Sequence, residues 1–168
     1  MELYTDGGCR DNGQSSTAAG GIGIVILNQG EENFFSQTTY FKPNTNNKTE
    51  IFAVIKGLQL LKDFTDTKNF VKDKLTIYSD SNYTIQGITN WINGWRANGW
   101  KTANHQEVKN KELWMKLDDE VEIAKEYYDI TFVKVKGHAG NKYNEKCDQL
   151  ANEAMDKFKK EDSGLWQV

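Results

Sequence analysis

The sequence predicts an α/β fold on a mixed sheet, antiparallel on one side and parallel on the other. Two observations carry this expectation. The first 41 residues hold three β-patterned runs separated by glycine-rich or polar turns. From Asn46 onward, apolar residues recur at helical spacing and alternate with short apolar, strand-like runs.

Residues 2–5 alternate and enter Asp6-Gly7-Gly8, which reads as a strand ending in a tight turn. Residues 20–27 are β-branched and glycine-spaced, a second strand, and Asn28-Gln29-Gly30 is a turn. Residues 33–41 read as the third strand of an antiparallel meander. The polar cluster Asn46-Asn47-Lys48-Thr49 suits a helix start, and Ile51, Val54, Ile55, Leu58 and Leu61 carry that helix's apolar face. Residues 75–78 form a short strand running into Ser79-Asp80-Ser81. Residues 83–95 read as helix, broken at Gly94 and Gly99, and residues 113–124 as an amphipathic helix. Residues 130–135 are a strand ending at Lys136-Gly137-His138. Residues 145–158 are a last helix, with Cys147, Leu150, Ala151, Ala154 and Phe158 facing inward.

A chain of 168 residues suits one domain, taken as residues 1–168. It has no internal repeat, and its single proline, Pro43, leaves no proline-rich linker. Two cysteines, Cys9 and Cys147, are too few for a disulfide framework. No basic and apolar leader opens the chain and no apolar run is long enough for a bilayer, so a cytoplasmic protein is expected. The net charge of −3 argues against a simple polyanion binder. Affinity for nucleic acid must therefore rest on local charge.

Asp6 and Asp80 share a placement, each after an apolar strand and before a Gly or Ser turn. In open α/β sheets, ligands bind beyond the carboxyl ends of strands, where strand order switches. Parallel neighbouring strands would bring these two carboxylates to one edge. Glu50, in a first helical turn, can point inward at the rim, and Asp148 lies beside Cys147 near the start of the last helix. Clustered carboxylates repel one another unless a cation joins them. All-oxygen ligands suit Mg²⁺, with Mn²⁺ as substitute. Two such ions, roughly 3.5–4 Å apart, can activate water and stabilise a leaving phosphodiester oxygen. Singly, each acid has a plainer role: Asp6 could cap a turn, Asp80 could cap the next helix, and Glu50 could serve a helix dipole. Only the joint pattern points to chemistry.

Five blocks in this order resemble type 1 ribonuclease H and cover nearly the whole chain. They are Tyr4-Thr5-Asp6-Gly7-Gly8-Cys9, Thr45-Asn46-Asn47-Lys48-Thr49-Glu50, Tyr78-Ser79-Asp80-Ser81, Val135-Lys136-Gly137-His138-Ala139-Gly140 and Asn144-Glu145-Lys146-Cys147-Asp148-Gln149-Leu150-Ala151. The resemblance implies the ribonuclease H-like fold: a five-stranded mixed sheet, three strands antiparallel and two parallel, flanked by helices. It implies that Asp6, Glu50, Asp80 and Asp148 are the metal-binding catalytic acids. His138 matches the family's mobile histidine, which helps move a proton or release product.

Residues 88–101 are the most aromatic stretch and resemble the family's basic protrusion, which grips the DNA strand. Between Trp91 and Lys111, Arg96, Lys101, Lys109 and Lys111 stand against Glu107, a net of +3. Trp91 and Trp114 are expected to pack, and Trp95 and Trp100 to serve as partly exposed platforms. Ala97 and Asn98 replace basic residues common in bacterial relatives, a departure that bears on grip and not on reaction type. The resemblance sets Cys9, Asn12, Asn46, Asn47, Asn82 and Gln86 against the minor groove, where RNA displays its 2′-hydroxyls. It sets Thr45 and Asn110 near a DNA phosphate. Residues 11–17 lack the family's frequent Asn-Pro-Gly pattern.

The expected protein is a monomeric endonuclease that binds RNA–DNA hybrid and no membrane. With two Mg²⁺ ions bound alongside substrate, it cuts the RNA strand to leave 5′-phosphate and 3′-hydroxyl ends. In this scheme Asp6 bridges the ions, Glu50 and Asp80 hold the ion that activates water, and Asp148 holds the other. Rival readings are an integrase or Holliday-junction nuclease on the same fold, a non-catalytic hybrid-binding module, and a domain of a reverse transcriptase polyprotein. The histidine loop and protrusion argue against the first, and the four acids against the second. Met1 and the short tail 163–168 favour a free-standing protein, and the lack of a separate hybrid-binding domain predicts low processivity.

Overall fold

Strands β1 (Glu2–Cys9), β2 (Gly20–Asn28), β3 (Glu31–Thr39), β4 (Asp73–Ser79) and β5 (Tyr128–Lys134) form one sheet in the order β3-β2-β1-β4-β5. The computed structural model describes residues 1–10, 18–41, 44–69, 71–137 and 139–158. The first three strands pair antiparallel, while β1 with β4 and β4 with β5 are parallel. This is the mixed sheet the sequence predicts.

Helices α1 (Asn46–Leu61) and α4 (Lys111–Ala124) cover one face, and α5 (Lys142–Asp156) covers the other. Between them run α2 (Asn82–Gln86), a wider π-type turn at Gly87–Trp91, and α3 (Ile92–Ala97). Strand alternation sorts the side chains. Leu3, Ile22, Ile24 and Ile26 join Ile51, Val54, Ile55, Leu58 and Trp114 in the larger core. Tyr4 and Val25 meet Cys147 and Leu150 in a smaller core under α5. Burying an aliphatic side chain of this size contributes roughly 1.5–3 kcal/mol, so the two apolar layers fix which strand face each helix covers. Tyr4 and Tyr78 stack at 4.3 Å at the end of the β1–β4 ladder.

Asp6-Gly7-Gly8 is not a turn. The strand continues to Cys9, pairing Asp6 with Gly23 and Cys9 with Gly20. The glycines there serve close approach: a Cβ on Gly7 would lie 2.4 Å from the Thr49 carbonyl carbon, and one on Gly23 would lie 2.1 Å from the Cys147 carbonyl oxygen. Both helices thus press their backbones onto bare strand. Gly94 does not break its helix, which runs through it to Ala97. The break falls at Gly99 and Trp100, whose φ angles are +65° and +62°. The third strand starts earlier than expected and ends at Thr39, and Phe158 lies past α5, whose inner face ends instead on buried Met155.

Gly23→Ala is expected to cost at least about 2 kcal/mol, because overpacking against a backbone atom has no rotamer escape. Gly94→Ala, with nothing within 4 Å of the new methyl, should add about 0.5–1 kcal/mol through helix propensity. Urea melts of both variants check the pair, and an unchanged Gly23→Ala midpoint would show that α5 yields freely.

Candidate active site

The β1–β4 ladder stops at Tyr4 and Tyr78, so the two strands part beyond that pair. Along the opened edge of β1 the Gly7 and Cys9 N–H groups have no β4 partner. Side chains from the start of α1 take them: Gly7 N–H donates to Glu50 Oε1 at 2.7 Å and Cys9 N–H to Asn46 Oδ1 at 2.9 Å. Thr45 caps α1 by accepting from Lys48 N–H at 3.2 Å, so the cap and this cross-link fall to different side chains.

Asp6, Glu50 and Asp80 meet in the gap, with one carboxylate oxygen from each within 4.8 Å of the others. Asp6 and Glu50 are buried and Asp80 is half-buried. The plainer roles are filled by other atoms. Ser81, not Asp80, caps α2, accepting from Thr84 N–H at 3.1 Å, and Asp6 sits inside a strand. Ser79, a buried residue the sequence did not single out, donates from Oγ to Glu50 Oε2 at 3.4 Å and accepts from Ser81 N–H at 3.1 Å. Nothing in its sequence context marks it apart from any other strand-end serine.

Asp148 is half-buried on the first turns of α5 and lies outside the three-carboxylate group, although its charge reaches Asp6. His138 and Asn12 lie outside the described residues. Gly137, next to His138, passes so close to Asp80 that a Cβ there would lie 3.2 Å from Oδ2. Val135 N–H donates to the Ser79 carbonyl at 2.9 Å and holds this stretch beside the acids.

Burial pushes the Asp6 carboxyl up to about 7; a hydrogen bond to Glu50 opposes this, and the charges of Asp80 and Asp148 add to it. Burial, then the charge of Asp6, drives Glu50 well above the usual carboxylate range. Cys147 is likewise pushed up, first by burial and then by Asp6, which suits an inert packing thiol. Two buried acids that resist ionising fit a divalent cation, which would restore both charges.

The remaining expected residues divide. Cys9, Asn46, Asn47, Asn82 and Gln86 lie at the end of β1, at the start of α1 and along α2, the elements that carry or adjoin the carboxylates. Gln86 also accepts a hydrogen bond from Asn90. Asn110 takes a left-handed backbone (φ +60°) and donates to the Tyr83 hydroxyl at 3.2 Å, tying the start of α4 to α2. Burial, and then the charge of Lys109 beside Asn110, lowers the pKa of Lys48 at the start of α1. In the sequence, Lys48 stands only as part of a helix start. The charge of Lys109 reaches it from a distant part of the sequence, which no local pattern announces.

Trp114 on α4 is fully buried as expected, but Trp91 in the aromatic stretch is 39% exposed. It packs edge-on to Tyr83 at 5.6 Å and leaves its outer face open. Trp95 and Trp100 are half-buried against the core, with Trp95 5.5 Å from Trp114. The wider turn at Gly87–Trp91 shifts the helical phase and rotates Trp91 outward. Arg96 is held by Asp118 at 2.8 Å, with Glu122 at 3.9 Å. Lys101 and Lys109 are exposed.

Both Asp6 and Glu50 favour the protonated form in the fold. Their contribution to stability is therefore present at low pH and is lost as pH rises from about 4 through the Asp6 value near 7. Without metal, Asp6→Asn should melt above the unsubstituted protein at pH 8, and the gap should shrink at pH 5. Thermal melts in EDTA check this, and Mg²⁺ should raise the melting temperature of the unsubstituted protein more at pH 8. A gap independent of pH would overturn the charge argument.

The RNase H family profile matches residues 1–156. A Ribonuclease H of Clostridium botulinum is 45% identical over 157 residues, covering 93% of this chain and 95% of that protein. A Ribonuclease H of Salmonella arizonae is 40% identical over 164 residues, covering 98% and 94%. Among solved structures, LC9-RNase H1, a type 1 RNase H with the type 2 active-site motif, superposes with a TM-score of 0.71 at 24% identity, covering 92% and 71%. LC11-RNase H1 in complex with RNA/DNA hybrid gives 0.62 at 24% identity, covering 93% and 96%. Matched along nearly its whole length by sequence and by fold, the chain belongs to the RNase H family.

Proposed function

We propose that this protein is a ribonuclease H that hydrolyses the RNA strand of RNA–DNA hybrids. The observation that carries the proposal is the group of Asp6, Glu50 and Asp80 at the gap between two parallel strands. The Ribonuclease H relatives at 40–45% identity support the activity, and the hybrid bound by LC11-RNase H1 supports the substrate.

When bound, two Mg²⁺ ions would activate water and neutralise the leaving oxygen, giving 5′-phosphate and 3′-hydroxyl ends. Asp6, Glu50 and Asp80 would hold them, with Asp148 completing the set once substrate is present. Gly7 N–H and the Ser79 hydroxyl each donate to one Glu50 oxygen and fix the orientation of its carboxylate. His138 is assigned a part in proton movement or product release. The amides of Asn12, Asn46, Asn47, Asn82 and Gln86, with Cys9, meet the minor groove and its 2′-hydroxyls. Thr45, Asn110, Lys48 and Lys109 face a DNA phosphate. Trp95, Trp100 and Lys101 extend the grip, while Arg96, spent on Asp118, contributes less. The protein acts as a single-domain cytoplasmic monomer; no helix among the described residues is long and apolar enough to cross a membrane.

The deciding assay uses labelled hybrid, duplex DNA and duplex RNA, with and without Mg²⁺. Only the hybrid should be cut, only with metal, and only in its RNA strand. Asp6→Asn should lower the rate by several orders of magnitude while hybrid binding persists; full activity in that variant would sink the proposal.

Hybrid affinity should fall linearly against log salt, losing about 0.9 of slope per phosphate contact removed. Alanine at Lys101 and Lys109 together should flatten the slope by roughly 1–2, and Arg96→Ala should flatten it less. Equal effects at all three would show that the Arg96–Asp118 pair opens on binding.

A further inference from the structure

The end of the molecule away from the carboxylates carries a cavity of about 230 Å³ where the last turn of α1, the last turns of α4 and the start of β5 converge. It exceeds the roughly 150 Å³ of an apolar cavity known to accept a benzene ring. Leu58, Leu61, Ile123 and Ala124 give it apolar walls, and Thr65, Tyr128 and Glu120 supply the polar groups. This is the composition of a small-molecule site: apolar surface with a few convergent polar atoms.

The polar atoms are not equivalent. The Thr65 and Tyr128 hydroxyls satisfy each other at 2.8 Å, and Thr65 also donates to the Leu61 carbonyl. Glu120 is 3% exposed, and its Oε2 accepts no hydrogen bond among the described residues. Lys62 Nζ lies 3.3 Å from Oε2 and Lys116 Nζ 3.5 Å from Oε1. Both lysines are about half exposed, and they balance the carboxylate's charge from the solvent side without closing its hydrogen bond. The ion pair leaves this buried acceptor short of a well-aligned hydrogen bond, which a donor inside the cavity would complete. Two ammonium groups already beside it disfavour a third cation, and the carboxylate itself disfavours an anion.

We propose that this cavity binds a small neutral aromatic molecule carrying one N–H or O–H donor, with its ring between Leu58 and Ile123 and its donor on Glu120 Oε2. The site is independent of the nuclease reading. No residue of the cavity belongs to the catalytic edge, so occupancy acts on stability and not on the chemical step.

The test is an amide NMR titration of the whole chain with indole, repeated with 1-methylindole, which keeps the ring and loses the donor. Saturable shifts at Leu58, Leu61, Ile123 and Ala124 are expected with indole. Binding of the methylated ring should be at least about tenfold weaker, the worth of one charge-assisted hydrogen bond. Glu120→Gln should weaken indole severalfold, leave 1-methylindole unchanged and leave hybrid cleavage intact. Ile123→Trp, which fills the mouth from an exposed position, should abolish binding of both. Equal affinity for the two rings, shifts that fail to saturate, or shifts centred on Asp6 and Glu50 would each overturn the proposal. The comparison of the two rings on the unsubstituted protein decides it even if a variant fails to fold.

Discussion

The parting of β1 from β4 beyond Tyr4 and Tyr78 is the constraint on which the site depends. A strand that loses its neighbour exposes N–H groups, and buried ones must find acceptors. Here the acceptors are Glu50 and Asn46. One geometric event therefore does three things. It opens a gap at the carboxyl ends of two parallel strands, docks the start of α1 onto β1, and carries Glu50 to Asp6. The absence of a side chain at Gly7 is what permits the docking, since a Cβ would strike the backbone of Thr49. The backbone of α1 then sets how far Glu50 can reach, so the carboxylate spacing is a property of helix-on-strand packing and not of flexible side chains.

That packing works against electrostatics. Burial and like charge raise both Asp6 and Glu50, so the fold holds the acids together at the expense of their ionisation. The surrounding residues are arranged to keep them uncommitted. Ser81 takes the cap of α2 that Asp80 would otherwise fill. Two neutral donors, Gly7 N–H and the Ser79 hydroxyl, hold Glu50 without cancelling its charge. An arginine or lysine in that place would relax the repulsion and remove the reason to bind a cation. Local stability is given up for a site whose missing partner is positive.

Much of this was legible in the sequence, because it follows from period and punctuation. The meander, α1 and α5 announce themselves through alternation and helical spacing, and Asp6 and Asp80 through their shared place after apolar strands. Asp6-Gly7-Gly8 misleads because glycine marks close approach as well as turns, and only the tertiary neighbour, the backbone of α1, tells the two apart. Gly94 misleads for a related reason: an exposed helix tolerates one glycine, and the break belongs to Gly99, where φ is positive. Trp91 is more exposed than a packing residue because the wider turn at Gly87–Trp91 shifts the helical phase there. No local pattern announces that shift. Ser79, Lys48 and Glu120 act through contacts distant in sequence, which composition and spacing cannot reach.

The protrusion shows how a chain of net charge −3 can present a cationic face. Its orientation is fixed by Trp95 against Trp114 and by Arg96 against Asp118 and Glu122 on α4. That anchoring uses the most basic group of the segment internally, since a half-exposed pair with an already buried carboxylate is hard to dissolve for a phosphate. The charge left for a polyanion then comes from lysines on separate elements: Lys101 past α3, Lys109 before α4 and Lys48 on α1. Burial, and then the charge of Lys109, lowers the pKa of Lys48, and an anion nearby would ease that repulsion. The same logic governs both halves of the edge. Like charges are collected by packing, acidic in the gap and basic beside it, and each collection is completed by what the proposed reaction brings, a divalent cation to one and a phosphate to the other.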